Sequence, residues 1–542
     1  MIKIKNRDNL YFTGMDPWEN ALSAKKLARL KKSWAEIFRQ HILSRMPITR
    51  VAKYFNKKMG RPTKELVSTC GACVLQQIFD LTDVETVDQM AFNQQWHYAI
   101  DVLDQDDQVL SLKTLWSMRH ILTTDSLAKK VFNDATDRLK EVYKVDTSLQ
   151  RLDSVHIHSN MARLGRLRLL ARVCTKFLNN LKRQEPSLYE SVSSLLKSRY
   201  EKDEDATYFG NSKPSESKKR LADIAQDMYE LICQFKGHTA VKSLYSYKEL
   251  ERVFTEHCSV ENEKVVVKAA KEIPSDSLQN PSDPDATYDG HKGQGYQVQI
   301  METYSKETPA CDMADRPEDN DPASLQLITY VDVEPAHCHD SHALEPALQE
   351  VKKRDLLPDE LEADALYGSQ ENKEKAKEHK VDLIAPTPGK KPKHNLVDFE
   401  FDQETHEVKR CPRGYSPEKI KHNKKGTLTA IWAEGACGNC PIFSSCAAER
   451  GKNGYRLRYT HKEVEASIRR CYEQSEDFKE KYRYRSGIEA TNSRFIHMTG
   501  ARRMRYRGLK RIDYAARLKA LGINMFRAAK FMVMQAENPC YA

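Results

Sequence analysis

The sequence predicts an α/β protein built around a mixed β-sheet and carrying large helical regions. Apolar residues recur at helical spacing from Trp18 to about Tyr143, and again from 161 to about 275. Between and after these regions lie short apolar segments bounded by Ser, Asn or Gly, which is the composition of buried strands. A strand–helix–strand–helix–strand order follows, and that order is typical of a mixed α/β sheet.

Length and composition limit the class of protein. A chain of 542 residues with 40 % apolar and 30 % charged side chains predicts a soluble protein of two or three domains. The longest uncharged apolar runs, such as Cys73 to Phe79, are too short to cross a bilayer, so we expect no membrane span. The first twenty residues lack the apolar centre of a secretory signal, and we expect a cytoplasmic location.

The predicted strands and helices divide the chain into regions. The segment "SLQRLDSVHIHSN" is a predicted buried strand, as are "GYQVQIMETY", "LQLITYVDVEP" and the start of "ELEADALYGSQ". Helices are predicted at "SHALEPALQEVKKR" and after "YGSQ". We therefore predict a helical N-terminal domain at 1–145, a core at 146–160 and 285–390, a helical insertion at 161–284, a basic, Cys-rich loop insertion at 391–458, and C-terminal helices at 459–542.

Positive charge is concentrated near the C-terminus. Residues 481–515 contain ten Lys or Arg and two acids, a net charge of +8, whereas the whole chain carries +10. Such a cluster predicts that a polyanion docks there. The alternative is a solvated helix face with no partner.

Three acids stand where an acid is unusual. Asp153 lies inside a predicted buried strand, and Asp364 follows another strand directly before a Tyr-Gly turn. Glu489 lies within the basic segment, and on a helix it would share one face with Tyr482 and Arg485. Each acid alone is more often a cap or turn former. Together, three carboxylates would suit two divalent cations that promote an in-line phosphoryl displacement.

The order of these motifs resembles that of a known family. A strand with Asp, a long insertion, a strand with Asp-x2-Tyr-Gly and then Tyr-x2-Arg-x3-Glu resembles the DDE transposases of bacterial insertion sequences. The resemblance implies an RNase H-like core over 146–535 and a DNA-binding N-terminal domain. It also implies that Asp153, Asp364 and Glu489 form a catalytic triad that uses Mg²⁺ or Mn²⁺.

The same resemblance implies what the protein acts on. The expected activity is cleavage of transposon ends followed by strand transfer into target DNA, by a homodimer on double-stranded DNA, in a bacterial nucleoid-associated protein. Tyr482 and Arg485 would contact the transposon end, and further phosphate contacts are expected from Arg494, Arg502, Arg503, Arg505 and Arg507. Relatives usually carry a Lys seven residues after the Glu, where this chain has Ile496. Arg494 is a candidate replacement, and processing of the ends through hairpins stays open.

Four cysteines form a separate pattern. Cys411, Cys437, Cys440 and Cys446 include one C-x2-C spacing and would suit a tetrahedral structural Zn²⁺ site, as opposed to free, partly buried thiols. Cys70 and Cys73 also have this spacing, but they fall on an apolar predicted helix, where core packing is expected. His156, His158, His337, His339 and His342 match no zinc signature and are expected to be polar lining or exposed.

Two other functions are compatible with these residues. One is a DNA-binding protein descended from a transposase that no longer cuts. The other is a stand-alone metal-dependent nuclease that cuts without joining strands.

Overall fold

The structure is a computed structural model that describes residues 2–5, 16–200, 216–306, 324–389, 396–402, 405–423, 426–451 and 454–537. Across these ranges no helix combines the length and apolarity needed to span a membrane. The architecture is a mixed β-sheet with helices on both faces, a helical N-terminal region, a helical insertion and a small β-rich subdomain.

The N-terminal region is helical, as the sequence predicts. Its helices are α1 Pro17–Ala21, α2 Ala24–Lys31, α3 Trp34–Ile37, α4 Ile48–Val51, α5 Leu66–Ile78, α6 Asp83–Phe92, α7 Gln94–Ala99, α8 Gln105–Gln108, α9 Leu112–Thr124 and α10 Leu127–Tyr143. Every residue of α5 is buried, so this helix is the centre of the region. Its N-cap is Glu65, whose carboxylate accepts a hydrogen bond from the Ser68 amide.

The central sheet has the strand order β4-β5-β1-β7-β8, and β6 pairs with β5. Its strands are β1 Leu149–His158, β4 Thr287–Asp289, β5 Gly293–Thr303, β6 Ile328–Pro335, β7 Glu360–Ala363 and β8 Asp382–Ile384. β5 is antiparallel to β1 and β6, whereas β7 is parallel to both β1 and β8. The predicted mixed sheet is confirmed.

Each face of the sheet is covered. Helices α17 Leu344–Lys353 and α18 Gln370–Glu378 lie on one face, where their apolar residues pack against Leu152, Met301 and Leu361. The other face packs against α10 and the C-terminal helix, and Ile157, Val298 and Ile300 share one hydrophobic core with the N-terminal helices. The N-terminal region and the sheet are therefore joined by continuous apolar packing.

The insertion after β1 has a core of its own. It contains α11 Arg166–Gln184, α12 Pro186–Glu190, α13 Ser194–Tyr200, α14 Ser217–Phe235, α15 Thr239–Ser243 and α16 Tyr245–His257. Their apolar faces meet around Phe177, Phe235 and Tyr247, all of which are buried. The helical prediction holds for these elements, but the sequence analysis missed the hairpin β2 Cys258–Glu261 and β3 Lys264–Val267 that follows them.

The Cys-rich segment differs from the prediction of a loop insertion. It forms strands β9 Glu400–Phe401, β10 Val408–Arg410, β11 Lys419–His422, β12 Thr427–Trp432, β13 Glu449–Gly451 and β14 Gly454–Thr460, with the short helix α19 Glu434–Cys437. β11-β12-β14-β13 make a four-stranded antiparallel sheet over a core centred on Trp432 and Tyr459. Short strands and frequent polar residues hid the two-residue period. We call this region the Cys-rich β-subdomain.

The C-terminal region is helical after β14. It contains α20 His461–Tyr472, α21 Glu476–Tyr482, α22 Gly487–His497 and α23 Leu509–Glu537. The long helix α23 contributes buried residues from Ile512 to Phe531. These residues join the core shared by the sheet and the N-terminal helices.

Candidate active site

Two of the three predicted acids come from neighbouring parallel strands. β1 and β7 are parallel, and Leu152 of β1 lies opposite Ala363 of β7. Asp153 and Asp364 are the residues that follow this pair. Neighbouring strands lie about 4.8 Å apart, and the two positions are therefore side by side. Asp364 directly follows β7 and caps the short 3-10 turn Ala365–Tyr367, because its carboxylate accepts a hydrogen bond from the Ala365 amide. Asp153 is 9 % exposed.

Glu489, the third predicted acid, is connected to Asp153 by a shared arginine, Arg485. The expected single helix through Tyr482, Arg485 and Glu489 is interrupted: α21 ends at Tyr482, and a 3-10 turn at Arg483–Ser486 precedes α22. Arg485 nevertheless donates to Glu489 Oε1 at 3.0 Å and to Asp153 Oδ2 at 3.1 Å. One guanidinium therefore joins two of the acids. Glu489 remains exposed on its other side, with 66 % of its side chain accessible.

Close approach of the backbone explains the glycine that begins α22. A Cβ atom on Gly487 would lie 2.0 Å from Nη1 of Arg151. That same Nη1 donates to the Tyr484 carbonyl at 2.7 Å. A side chain at this position would require the Arg151 guanidinium to shift, so the glycine gives Arg151 room to reach the turn between α21 and α22.

Burial and the charge of Arg485 shift the pKa of Asp153 in opposite directions. Burial raises the pKa of its carboxyl to about 6, Arg485 acts in the opposite direction, and Asp364 adds to the increase. Burial alone would lower the pKa of Arg485, but its carboxylate neighbours, above all Asp153, raise it overall. Asp153 is thus a buried acid whose ionised form depends on a cation beside it.

The carboxylates here are ligands that hard cations prefer, but they are not arranged as a metal-binding site. Among the described residues, no group of three or more His, Cys, Asp or Glu is placed to hold a metal ion. Arg485 occupies the space between Asp153 and Glu489. Carboxylate oxygens are nevertheless the donors that Mg²⁺ and Mn²⁺ select. The types of residue present therefore suit a divalent cation, but Arg485 pairs with two of them in this structure.

Asn492 is a site residue that the sequence analysis missed. It lies one turn after Glu489 on α22 and donates from Nδ2 to Asp153 Oδ2 at 3.1 Å. Its Oδ1 atom is buried and has no hydrogen-bond partner within the described parts of the chain. A buried amide oxygen without a partner is costly, and it is a further hard donor beside the carboxylates.

An ion-pair network lies beneath these residues. Glu302 on β5 is fully buried and faces its cross-strand partner Arg151, whose Nε donates to Oε1 at 2.8 Å. Arg527 of α23 and Thr491 of α22 donate to Oε2 at 2.9 and 2.6 Å. Burial raises the pKa of Glu302, but the two arginines outweigh it and the net shift is downward. In the sequence, this network is indicated only by Arg151 and Glu302, which are charged residues within predicted buried strands.

A second buried acid adjoins this network. Glu362 is two residues before Asp364 on β7 and is fully buried. Its Oε1 accepts a hydrogen bond from the Tyr304 hydroxyl at 2.5 Å, and burial raises its pKa to about 7. Its other oxygen has no hydrogen-bond partner in the regions that the structure describes.

Two parts of the chain match sequence models of known protein families. A sequence model described as a transposase DDE domain matches residues 410–529, and one described as a transposase domain (DUF772) matches residues 22–120. The two matches support a DDE transposase of the insertion-sequence type. The first match contains Glu489, whereas Asp153 and Asp364 lie outside both. No curated protein matches the chain significantly.

The predicted DNA-contacting residues of this transposase occupy two places. Tyr482 lies near the acids and stacks on Phe478, with ring centroids 5.4 Å apart. Arg494 is exposed at the edge of a 590 Å³ cavity lined also by Tyr304, Tyr484 and Arg527. Arg485 is turned toward the carboxylates.

The basic run 502–507 lies farther along the transposase. Arg502 and Arg503 are exposed and lie close enough to His158 to lower its pKa, although burial is the larger cause. Arg505 pairs with Asp80 at 3.5 Å, and Arg507 donates to Asn160 Oδ1 at 3.1 Å. His158 is five residues beyond Asp153 on β1, so this run begins roughly 17 Å from the acids.

The four cysteines of the Cys-rich β-subdomain lie near one another. Burial raises the pKa of Cys437 to about 11, and Cys411, Cys446 and Cys440 add to the increase through their charges. The Cys440 amide donates to the Cys437 carbonyl at 3.2 Å, which folds the C-x2-C segment into a tight turn. No described group of three or more ligands is placed to hold a metal ion here either.

The remaining cysteine and histidine predictions concern packing. Cys70 and Cys73 are buried in the core shared by the N-terminal helices, which confirms the prediction, and burial raises the pKa of Cys73 to about 12. Burial lowers the pKa of His156 to about 4, so this side chain is neutral at pH 7. His337 hydrogen-bonds to Thr287, and His339 to Ser341.

Replacing Asp153 by Asn should stabilise the transposase in a pH-dependent way. The pKa of Asp153 rises from 3.8 to about 6 on folding, so the carboxyl favours the folded state only at low pH and opposes it when ionised. We expect Asp153→Asn to raise the free energy of unfolding by as much as about 3 kcal/mol at pH 8. The gain should shrink as the pH falls through 6 and vanish near 4.

Urea titrations followed by circular dichroism at pH 4, 6 and 8 measure this difference. Asp398→Asn, which removes an exposed carboxylate, is the matched control and should change stability little at any of these pH values. An equal effect of Asp153→Asn on the free energy of unfolding at pH 4 and pH 8 would show that folding does not raise the pKa of Asp153.

Proposed function

We propose that this transposase cuts the phosphodiester at the ends of its element and joins the freed ends to target DNA. Asp153, Asp364 and Glu489 would be the catalytic acids. The observation that carries the proposal is the bridge by Arg485 between Asp153 and Glu489, beside the strand position of Asp364. A polar cluster of this kind around a buried acid is expected at a site that binds cations and phosphate.

Both steps are phosphoryl transfers. In the first, water attacks the phosphorus, the bond to the 3′-oxygen breaks, and the element end keeps a 3′-hydroxyl while its neighbour keeps a 5′-phosphate. In the second, that hydroxyl attacks a target phosphodiester and displaces the target's 3′-oxygen. A pair of Mg²⁺ or Mn²⁺ ions, when bound, stabilises the attacking and leaving oxygens.

The chain's own residues prepare the site for these steps. Above pH 6 Asp153 is mainly ionised, and Asn492 fixes the orientation of its Oδ2 atom. Arg485 would exchange its two carboxylates for a DNA phosphate, which frees Asp153 and Glu489 as cation ligands. Gly487 gives Arg151 room to reach the turn that carries Arg485.

DNA would extend from the acids along the basic C-terminal segment. Tyr482, Arg485 and Arg494 would contact the element end, and Arg502, Arg503, Arg505 and Arg507 would contact phosphates farther along the duplex. The exposure of Arg502 and Arg503 near the end of β1 supports this path. Pairing of two ends would require a homodimer on DNA. The strand order of the sheet is compatible with the RNase H-like core of such enzymes.

We also propose that Cys411, Cys437, Cys440 and Cys446 hold a structural Zn²⁺. Their mutual electrostatic influence and the tight turn at Cys437 and Cys440 support the proposal. Four thiolates suit a closed tetrahedral site. The ion would tie the turn at Cys411 to the segment that follows β12.

Replacing Glu489 by Gln should abolish cleavage and leave DNA binding intact. The change removes a cation ligand, so we expect nicking in Mg²⁺ to fall by about a thousandfold or more, equal to several kcal/mol of transition-state stabilisation. Binding should stay equal or tighten, because a negative charge near phosphate is lost. Nicking and strand-transfer assays on a duplex carrying the element end, beside anisotropy titrations, measure both.

Glu480→Gln, at an exposed position on α21, is the control and should cut normally. A Glu489→Gln protein that nicks like the wild type would refute the assignment. Wild-type protein that cuts without joining strands would be a nuclease, and one that binds without cutting would be an inactive descendant.

Removing three arginines of the basic run should weaken binding of all DNA sequences alike. We expect the combined change of Arg502, Arg503 and Arg505 to Gln to lower the slope of log affinity against log salt by about 0.9 per lost phosphate contact, or about 2.7 in total. Lys218→Gln, Lys219→Gln and Lys236→Gln, at exposed positions in the helical insertion, remove the same charge and should leave the slope unchanged. Equal slopes for the two variants would contradict the proposed DNA path.

Metal analysis tests the zinc proposal. Purified protein should contain about one Zn²⁺ per chain, and Cys437→Ser or Cys440→Ser should lose it, because a structural site needs four ligands. Cys471→Ser, which alters an exposed thiol on α20 outside the set, should keep it. Wild-type protein purified without chelator and free of zinc would show that the four thiols are unligated.

A further inference from the structure

The cations of the Cys-rich β-subdomain fall into two groups. Lys409, Arg410 and Arg450 form ion pairs with Asp402, Glu400 and Glu434 at 2.7, 3.9 and 2.9 Å. Five others have no carboxylate within ion-pair distance among the residues that the structure describes. Arg413 lies in the turn after β10, and the other four lie on strands: Lys419, Lys421, Arg456 and Arg458. The four strand cations are thus not neutralised locally.

Strand register places the four strand cations on one surface. Lys419 pairs with Ile431, which pairs with Arg456, and this makes one row across β11, β12 and β14. Lys421, Thr429 and Arg458 make the next row in the same way. Side chains alternate between faces along a strand, so both rows point to the same side of the sheet.

The opposite side of the sheet is its core. Leu428, Ala430, Trp432, Tyr455 and Leu457 are buried there. The rows that carry the four cations therefore form the outer surface, which we call the cationic sheet face. Glu449, opposite Arg456 on β13, is the acid that shares this face, so its four cations and one acid give a net charge of +3.

The dimensions of the cationic sheet face match a nucleic-acid backbone. Each row crosses two strand spacings, about 10 Å, and the rows lie about 7 Å apart. Phosphates of one DNA strand advance about 3.4 Å along the duplex axis per nucleotide. The four cations therefore cover two or three consecutive phosphates. The central residues of the rows, Thr429 and Ile431, offer no aromatic ring on which a base could stack.

We propose that the cationic sheet face binds the phosphate backbone of double-stranded DNA, independently of base sequence. The inference rests on the proposed function in taking DNA as the substrate, but it adds a contact surface outside the basic segment 481–515. A protein partner is disfavoured, because stable protein interfaces need apolar or aromatic anchors at their centre and this face has rows of separated cations.

A salt titration with a charge-matched control tests the proposal. The probe is a 30-base-pair duplex of mixed sequence with a fluorescent label, and the protein is the full chain. Replacing Lys419, Lys421 and Arg458 by Gln should lower the slope of log affinity against log salt by about 2.7, that is about 0.9 for each lost contact. Replacing the paired cations Lys409, Arg410 and Arg450 by Gln changes the net charge equally and should leave the slope unchanged.

A crosslinking experiment gives a result that does not depend on the stability of the triple variant. A photoreactive residue in place of Thr429, at the centre of one row, should crosslink to the duplex, whereas one in place of Glu434, outside the face, should not. If wild-type protein binds the duplex but both triple variants behave alike and Thr429 does not crosslink, the cationic sheet face is not a DNA contact. If wild-type protein fails to bind duplex DNA at all, the proposed function itself fails.

Discussion

The geometry of the candidate site depends on one buried carboxylate, Glu302. It accepts hydrogen bonds from Arg151, Arg527 and Thr491, and so connects β1 and β5 with helices α22 and α23. Removing three charges from water costs several kcal/mol per ion, and only close pairing with every oxygen used repays that cost. Because Arg151 is two residues before Asp153 and Thr491 two residues after Glu489, the network also holds the two acids at a fixed separation.

Above this network, the guanidinium of Arg485 balances the charges of two of the acids. Arg485 joins Asp153 to Glu489. Its charge lowers the pKa of the buried Asp153 carboxyl and so limits the increase caused by burial, which leaves that pKa at about 6. Such a site stores unfavourable energy, since Asp153 is desolvated and the Asn492 Oδ1 atom has no hydrogen-bond partner among the described residues. Binding of a divalent cation and a phosphate would relieve both, which is the pattern expected where a site is selected for function and not for stability.

The DNA contacts proposed for this transposase lie on surfaces from distant parts of the chain. The basic run after α22 lies near the end of β1, and the cationic sheet face belongs to a subdomain with its own core. Both surfaces are rich in exposed cations, and the central residues of the sheet rows, Thr429 and Ile431, are not aromatic, which favours contact with the backbone over readout of bases. The helical N-terminal region shares its apolar core with the sheet, so movement of one against the other would expose buried surface.

By itself, the sequence determined the mixed sheet and the helical N-terminal region and insertion, and it showed an order of acids that resembles that of DDE transposases. Periodicity and strand composition are local properties, so they survive in a single chain. The break at Arg483–Ser486 is visible only in the fold, where Arg151, more than 300 residues earlier in the sequence, donates a hydrogen bond to the Tyr484 carbonyl within that turn. The same holds for Glu302, Asn492 and the cationic sheet face, since pairing partners and shared faces arise only when distant strands lie in register.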